Sequence, residues 1–123
     1  YVVKAINKAL SAKIKSPKMI MNIALNYGGR DEIVTAIKNI IKDGVKPSQV
    51  NEKLISKYLY TKNQPDPDLL IRPGGEYRLS NFLLWQTSYS ELYFTDILWP
   101  DFNEKQLDKA IVWYQNRHRR MGK

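Results

Sequence analysis

Residues 72–86 read RPGGEYRLSNFLLWQ, and the class of fold turns on this stretch. The apolar run Leu69-Leu70-Ile71 leads into it, and FLLW lies near its end. Between them stand two arginines, two adjacent glycines, a glutamate and a serine. A short buried strand, a glycine turn and a helix in that order make an α/β unit. Little side-chain bulk with two fixed cations suits a turn that holds a polyanion.

The same alternation extends on both sides. Upstream, MIMNIALN (19–26) is a near-continuous apolar run of the kind a buried parallel strand shows. Tyr27-Gly28-Gly29-Arg30 then makes a turn. Asp31 and Glu32 open a helix, DEIVTAIKNIIKDG, where acidic residues complement the helix dipole and Gly44 supplies a stop. A short helix is predicted within 51–60, followed by the proline-rich connector QPDPD (64–68). Downstream, LSNFLLWQTSY (79–89) has Leu79, Phe82, Leu83 and Gln86 on one helical face, and Glu91 to Thr95 is β-prone. Trp99-Pro100-Asp101 interrupts, and an amphipathic helix from Asn103 or Glu104 runs towards the basic tail NRHRRMGK. The opening YVVKAINKALSAKI is helically spaced until Ser16-Pro17 and has no cap before it, as in a chain that starts inside an element. The expected class is α/β, a mainly parallel sheet with flanking helices.

Composition narrows the chemistry. The 123 residues, 43% hydrophobic, suit one globular domain. Cysteine is absent, which excludes disulfides, thiolate metal sites and cysteine nucleophiles and suits a reducing cytoplasm. Twenty Lys and Arg against twelve Asp and Glu give a net charge of +8. That favours anionic partners, although a basic surface alone satisfies the same count. Three tryptophans and eight tyrosines would suit base stacking, but they sit among apolar neighbours and read as packing. A nucleic-acid module rests on charge alone, so nucleic acid is not expected as a partner. His118, among arginines, reads as solvated.

In a parallel sheet, ligands bind at the carboxyl ends of strands, and Arg72 sits at such an end. Gly74 and Gly75 let a backbone approach a ligand and can turn amide N–H groups inward. A helix starting near Ser80 would point its positive end the same way. Arg78 and the Ser80 hydroxyl add donors, enough for a diphosphate. The plain alternative pairs Arg72 and Arg78 with Glu76 or nearby aspartates. Glu91, and likewise Glu76, is either a Mg²⁺ ligand beside that turn or an ordinary surface acid.

Asp68 to Gln86, DLLIRPGGEYRLSNFLLWQ, closely resembles the signature of cis-prenyltransferases, nearest to the bacterial undecaprenyl diphosphate synthases. SYSELYF, WPDF and NIALNYGGRDEI (22–33) are similar to the same family. The resemblance implies condensation of isopentenyl diphosphate onto an allylic diphosphate, usually farnesyl diphosphate, with Mg²⁺ and cis double bonds. It implies that Arg72, Arg78, Ser80 and the Leu79 backbone bind the isopentenyl diphosphate, with Gly74, Gly75 and Glu76 lining the turn. Glu91 becomes the metal residue. Arg120-Met121-Gly122 looks like the family's Arg-x-Gly terminus, so Arg120 and Gly122 join the substrate-binding set. Asn26 to Arg30 is scaffolding. A homodimer in the cytoplasm is implied, with membrane association through its product left open.

Two departures stand out. Pro73 occupies a position where the family usually has a small hydroxyl residue, and it removes an N–H. The family's Asp-Gly-Asn-Gly-Arg-Trp-type motif, with the catalytic aspartate, does not occur, so residues 1–123 resemble the C-terminal half of the domain and supply no catalytic residue. By themselves they are expected to make no polyprenyl product, yet to carry a dimer-forming surface in FLLWQTSYSELYF (82–94). The competing function is a non-catalytic prenyltransferase-like subunit acting through dimerisation, in which the substrate arginines need not persist.

Overall fold

The computed structural model describes residues 2–11 and 18–118. Among the described residues four α-helices, α1 (Val2–Ser11), α2 (Gly29–Lys42), α3 (Glu52–Tyr58) and α4 (Glu104–Gln115), accompany two strands, β1 (Leu69–Pro73) and β2 (Glu91–Thr95). The strands pair in parallel, with Leu69 opposite Glu91 and Pro73 opposite Thr95. The α/β expectation with a parallel sheet and flanking helices holds. Expectations for Ile14 and Ser16-Pro17 fall outside the described residues.

Local chemistry sets the element ends. Asn51 caps α3 by accepting from the Leu54 amide at 2.9 Å. Asn103 caps α4 through the Lys105 and Gln106 amides. Gly44, at φ +68, takes the left-handed step that follows α2. Ala36 and Ile40 of α2 are buried, as are Leu59 after α3 and Ala110 of α4. The Tyr93 and Trp113 rings meet edge-on at 5.2 Å, which seats α4 on β2. No helix among the described residues is long and apolar enough to cross a membrane.

Two expected elements are corrected. Residues 19–26 form no strand. Met19, Ile20, Met21, Ile23 and Leu25 are 60–79% exposed. A strand exists only when a neighbour takes its N–H and C=O groups, and the sheet described here holds β1 and β2 alone. The run instead borders an open cavity of about 420 Å³ shared with Tyr60, Phe82 and Leu83. The second correction is 79–89, which is a chain of turns and not a helix. Ser80, Asn81 and Leu83 have φ of +47, +68 and +45, in the left-handed region that a right-handed helix cannot include. The apolar spacing that imitated a helix comes from a loop folded back on itself.

That loop is tied down by a buried carboxylate. Glu32, 1% exposed, lies on the inner face of α2. It accepts hydrogen bonds from the Tyr27 hydroxyl, from the Tyr60 amide at 2.7 Å and from Gln86 Nε2 at 3.1 and 3.2 Å. Gln86 Nε2 also donates to Thr61 Oγ1 at 3.0 Å. Trp85 Nε1 donates to Ser56 Oγ at 3.0 Å, joining the loop to α3. Glu32→Ala would leave these buried donors unpaired. It is expected to lower the unfolding free energy by about 3 kcal/mol, read as a shift of the urea midpoint; an unmoved midpoint would refute the anchoring role.

Desolvation first, and then the bond to Glu32, push the Tyr27 hydroxyl well above its usual value. Its neutral form is therefore favoured in the folded state. The unfolded tyrosine ionises near pH 10 while the folded one does not, so this contribution is complete below that pH and is lost as pH rises beyond it. Urea midpoints measured from pH 8 to 11 should fall more steeply for the parent than for Tyr27→Phe.

Candidate functional site

The carboxyl end of β1 carries Arg72, opposite Phe94 of β2. Beyond Pro73 the chain turns through Gly74 at φ +99 and Gly75 at φ +72, conformations that favour glycine at both positions. The turn brings Arg78 and Ser80 back to Arg72. Arg72 Nη1 donates to the Arg78 carbonyl and to Ser80 Oγ, the latter at 3.1 Å. One guanidinium, half-buried at the strand end, thus ties the returning loop to β1.

Charge at the turn is unevenly satisfied. Arg78 forms an ion pair with Glu76, and both side chains are well exposed, at 63% and 46%. Such a contact contributes little to stability and exchanges readily for a better anion. Of the two arginines open to Glu76 as ion-pair partners, it is Arg78 that it meets. Tyr77 donates to Asp96 at 2.9 Å, and that bond raises the tyrosine's pKa. Leu79 is half-buried, and its carbonyl accepts from the Phe82 amide at 3.0 Å.

Two expected phosphate donors are corrected. The Gly74 and Gly75 amides do not face an open pocket; they bond the Ile97 and Thr95 carbonyls at 2.8 and 2.9 Å. The glycines continue the hydrogen bonding of the sheet past Pro73, which has no N–H to give. Nor does a helix N-terminus start at Ser80, because 80–89 is not helical. The positive helix end near the turn belongs to α2. Two of its first amides are already occupied: Gly29 donates to the Asn81 carbonyl at 2.7 Å and Arg30 to Asn81 Oδ1 at 2.9 Å. The cationic groups that remain for an anion are the Arg72 and Arg78 side chains, with the Ser80 hydroxyl beside them.

Glu91 lies elsewhere on the sheet. It opens β2 opposite Leu69, three residues and about 10 Å along the strand from the level of Arg72. Side chains alternate along a strand, so Glu91 and Arg72 fall on opposite faces of the pair. Glu91 Oε2 accepts from Arg117 Nε at 2.9 Å, and Arg117 lies over the Trp113 ring. Among the described residues no group of three or more His, Asp or Glu is clustered as a metal cage. A single half-buried carboxylate can still serve Mg²⁺, which takes one or two carboxylates and completes its shell with phosphate oxygens and water. Arg120 and Gly122 lie outside the described residues.

Sequence patterns missed Asn81 and the inward placement of Glu32. Glu32 reads as a first-turn acid on any helical plot. Asn81 is the non-glycine residue most at ease at positive φ, and its place after Ser80 was the available signal.

Comparison with known proteins places the chain in a family. The family model described as putative undecaprenyl diphosphate synthase matches residues 1–122. The isoprenyl transferase of Heliobacterium mobile is 53% identical over 97% of this chain and 47% of its own length. That of Clostridium tetani is 55% identical over 94% of this chain and 47% of its own. A probable undecaprenyl diphosphate synthase from Campylobacter jejuni superposes with a TM-score of 0.72 at 40% identity, covering 83% of this chain and 47% of that one. Lavandulyl diphosphate synthase from Lavandula x intermedia, solved with dimethylallyl diphosphate, gives 0.76 at 43% identity, over 81% and 45%. The chain spans about half the length of the curated relatives it matches.

Proposed function

This chain belongs to the undecaprenyl diphosphate synthase family of prenyltransferases, and from that membership we propose that it carries the isopentenyl-diphosphate-binding half of a cis-prenyltransferase. The reaction joins isopentenyl diphosphate to an allylic diphosphate, farnesyl diphosphate being the expected one, and lengthens a polyprenyl diphosphate such as undecaprenyl diphosphate. The observation that carries the proposal is the Arg72 guanidinium at the end of β1, with Arg78 and Ser80 gathered around it. Two planar cations and a hydroxyl at one turn match the oxygens of a diphosphate. A solved relative bound to dimethylallyl diphosphate supports an allylic diphosphate as the second substrate.

The residues divide the work. Arg72 anchors the diphosphate at the strand end. Arg78 exchanges its exposed partner Glu76 for substrate oxygens, and Ser80 donates its hydroxyl. Mg²⁺, when bound, neutralises diphosphate charge. Glu91 would be one of its ligands if the carboxylate left Arg117, and because Glu91 lies on the opposite face of the strand pair from Arg72, that ion would sit apart from the Arg72 guanidinium. The same reading makes the protein a cytoplasmic homodimer that uses 82–94, where Phe82 and Tyr89 are exposed.

Two tests follow, both in a protein that joins this sequence to the remainder of the family domain. Arg72→Ala and Arg78→Ala should each raise the KM for isopentenyl diphosphate roughly ten- to a hundredfold, the size of one charge-assisted contact at about 1.5–3 kcal/mol. Binding of the allylic substrate should change little, and equal losses for both substrates would sink the assignment. Glu91→Gln should lower activity and raise the Mg²⁺ concentration needed for half-maximal rate. An identical Mg²⁺ dependence in mutant and parent would remove Glu91 from the metal site.

A further inference from the structure

The anion turn holds two consecutive non-glycine residues, Ser80 and Asn81, at positive φ. Such residues persist where the surroundings over-determine them. The determinant is the start of α2. Helix α2 begins after Gly28, which has no side chain to cap it, so its first amides need an outside acceptor. Asn81 supplies two: its backbone carbonyl to Gly29 and its Oδ1 to Arg30. The approach is close enough to require both glycines. A Cβ on Gly28 would lie 2.8 Å from Asn81 Nδ2, and one on Gly29 would lie 3.1 Å from the Asn81 carbonyl. Ser80 sits between this fixed point and Arg72, to which its Oγ is bonded at 3.1 Å.

We propose that Asn81 is the positioning residue of the anion turn: by capping α2 from 51 residues away, it holds Ser80, and through Ser80 the Arg72 guanidinium, in the arrangement that receives a diphosphate. The inference rests on the diphosphate reading given above. The Asn81 carbonyl and Oδ1 are both engaged by α2. It converts the rigidity of α2 into the geometry of a loop with no regular structure of its own. Its Oδ1 is the decisive atom; glycine at 81 tolerates the same positive φ and removes that cap.

The test uses the full 123-residue chain with inorganic pyrophosphate as the probe. Calorimetric titration compares the parent with Arg72→Ala, Asn81→Gly and Asn103→Ala, while NMR follows the backbone shifts of Ser80. Asn103 caps α4 in the ordinary way, so Asn103→Ala controls for loss of a helix cap as such. Asn81→Gly is expected to weaken pyrophosphate binding at least fivefold and to move Ser80 out of its left-handed shift range, whereas Asn103→Ala does neither. Parent-like affinity in Asn81→Gly, with Arg72→Ala weakened, overturns the positioning role and leaves the diphosphate site standing. No binding by the parent overturns the diphosphate reading itself. The Ser80 shifts then decide the positioning claim, and unmoved shifts in Asn81→Gly overturn it. If Asn81→Gly does not fold, Gly28→Ala, which crowds the Asn81 amide, is expected to show the same loss; parent-like affinity and Ser80 shifts there refute the proposal.

Discussion

Everything near the anion turn depends on one costly act, the burial of the Glu32 carboxylate. An ionised acid taken out of water has to recover its hydration from fixed donors. Glu32 recovers it from Tyr27, Tyr60 and Gln86, which belong to three separate stretches of chain. Apolar contacts are non-directional and would let those stretches slide. A carboxylate with three directional donors does not. The small set of buried apolar side chains around Ala36, Ile40 and Leu59 supplies cohesion, and Glu32 supplies register.

Asn81 extends that register from the inner face of α2 to its N-terminal end. The loop 79–89 is held at Gln86 by Glu32 and at Asn81 by the first turn of the same helix. Five positions separate the two attachments, so the intervening chain has little freedom. Ser80, next to the Asn81 attachment and bonded to Arg72, is thereby held at the edge of this segment. It also explains the paired glycines at 28 and 29, which serve the close approach of another backbone and not a turn alone.

The strands at 69–73 and 91–95 and the helices α2 and α4 were legible in the sequence, because period and caps are local signals and these elements obey them. The run 19–26 was not, because an apolar string reports burial and β-propensity but not whether a pairing partner is present. The loop 79–89 was misread because Leu79, Phe82, Leu83 and Gln86 have helical spacing by chance of docking, and nothing local weighs that against three left-handed residues. At the site, Arg72, Arg78 and Ser80 could be picked out from the turn chemistry. The fate of the Gly74 and Gly75 amides could not, since the carbonyls that take them, on Ile97 and Thr95, lie twenty or more residues downstream.

A helix capped by a residue 51 positions downstream carries a history as well as a geometry. On a ribosome α2 is complete in sequence long before Asn81 has been made, and its first amides can meanwhile bond only water. The parallel pairing of β1 with β2, from Leu69 to Glu91, also waits on chain made later. Both closures are non-local and are reached only after loop entropy has been met. The bond between Arg72 and Ser80 lies inside these closures, so the turn around Arg72 takes its shape together with them and not ahead of them.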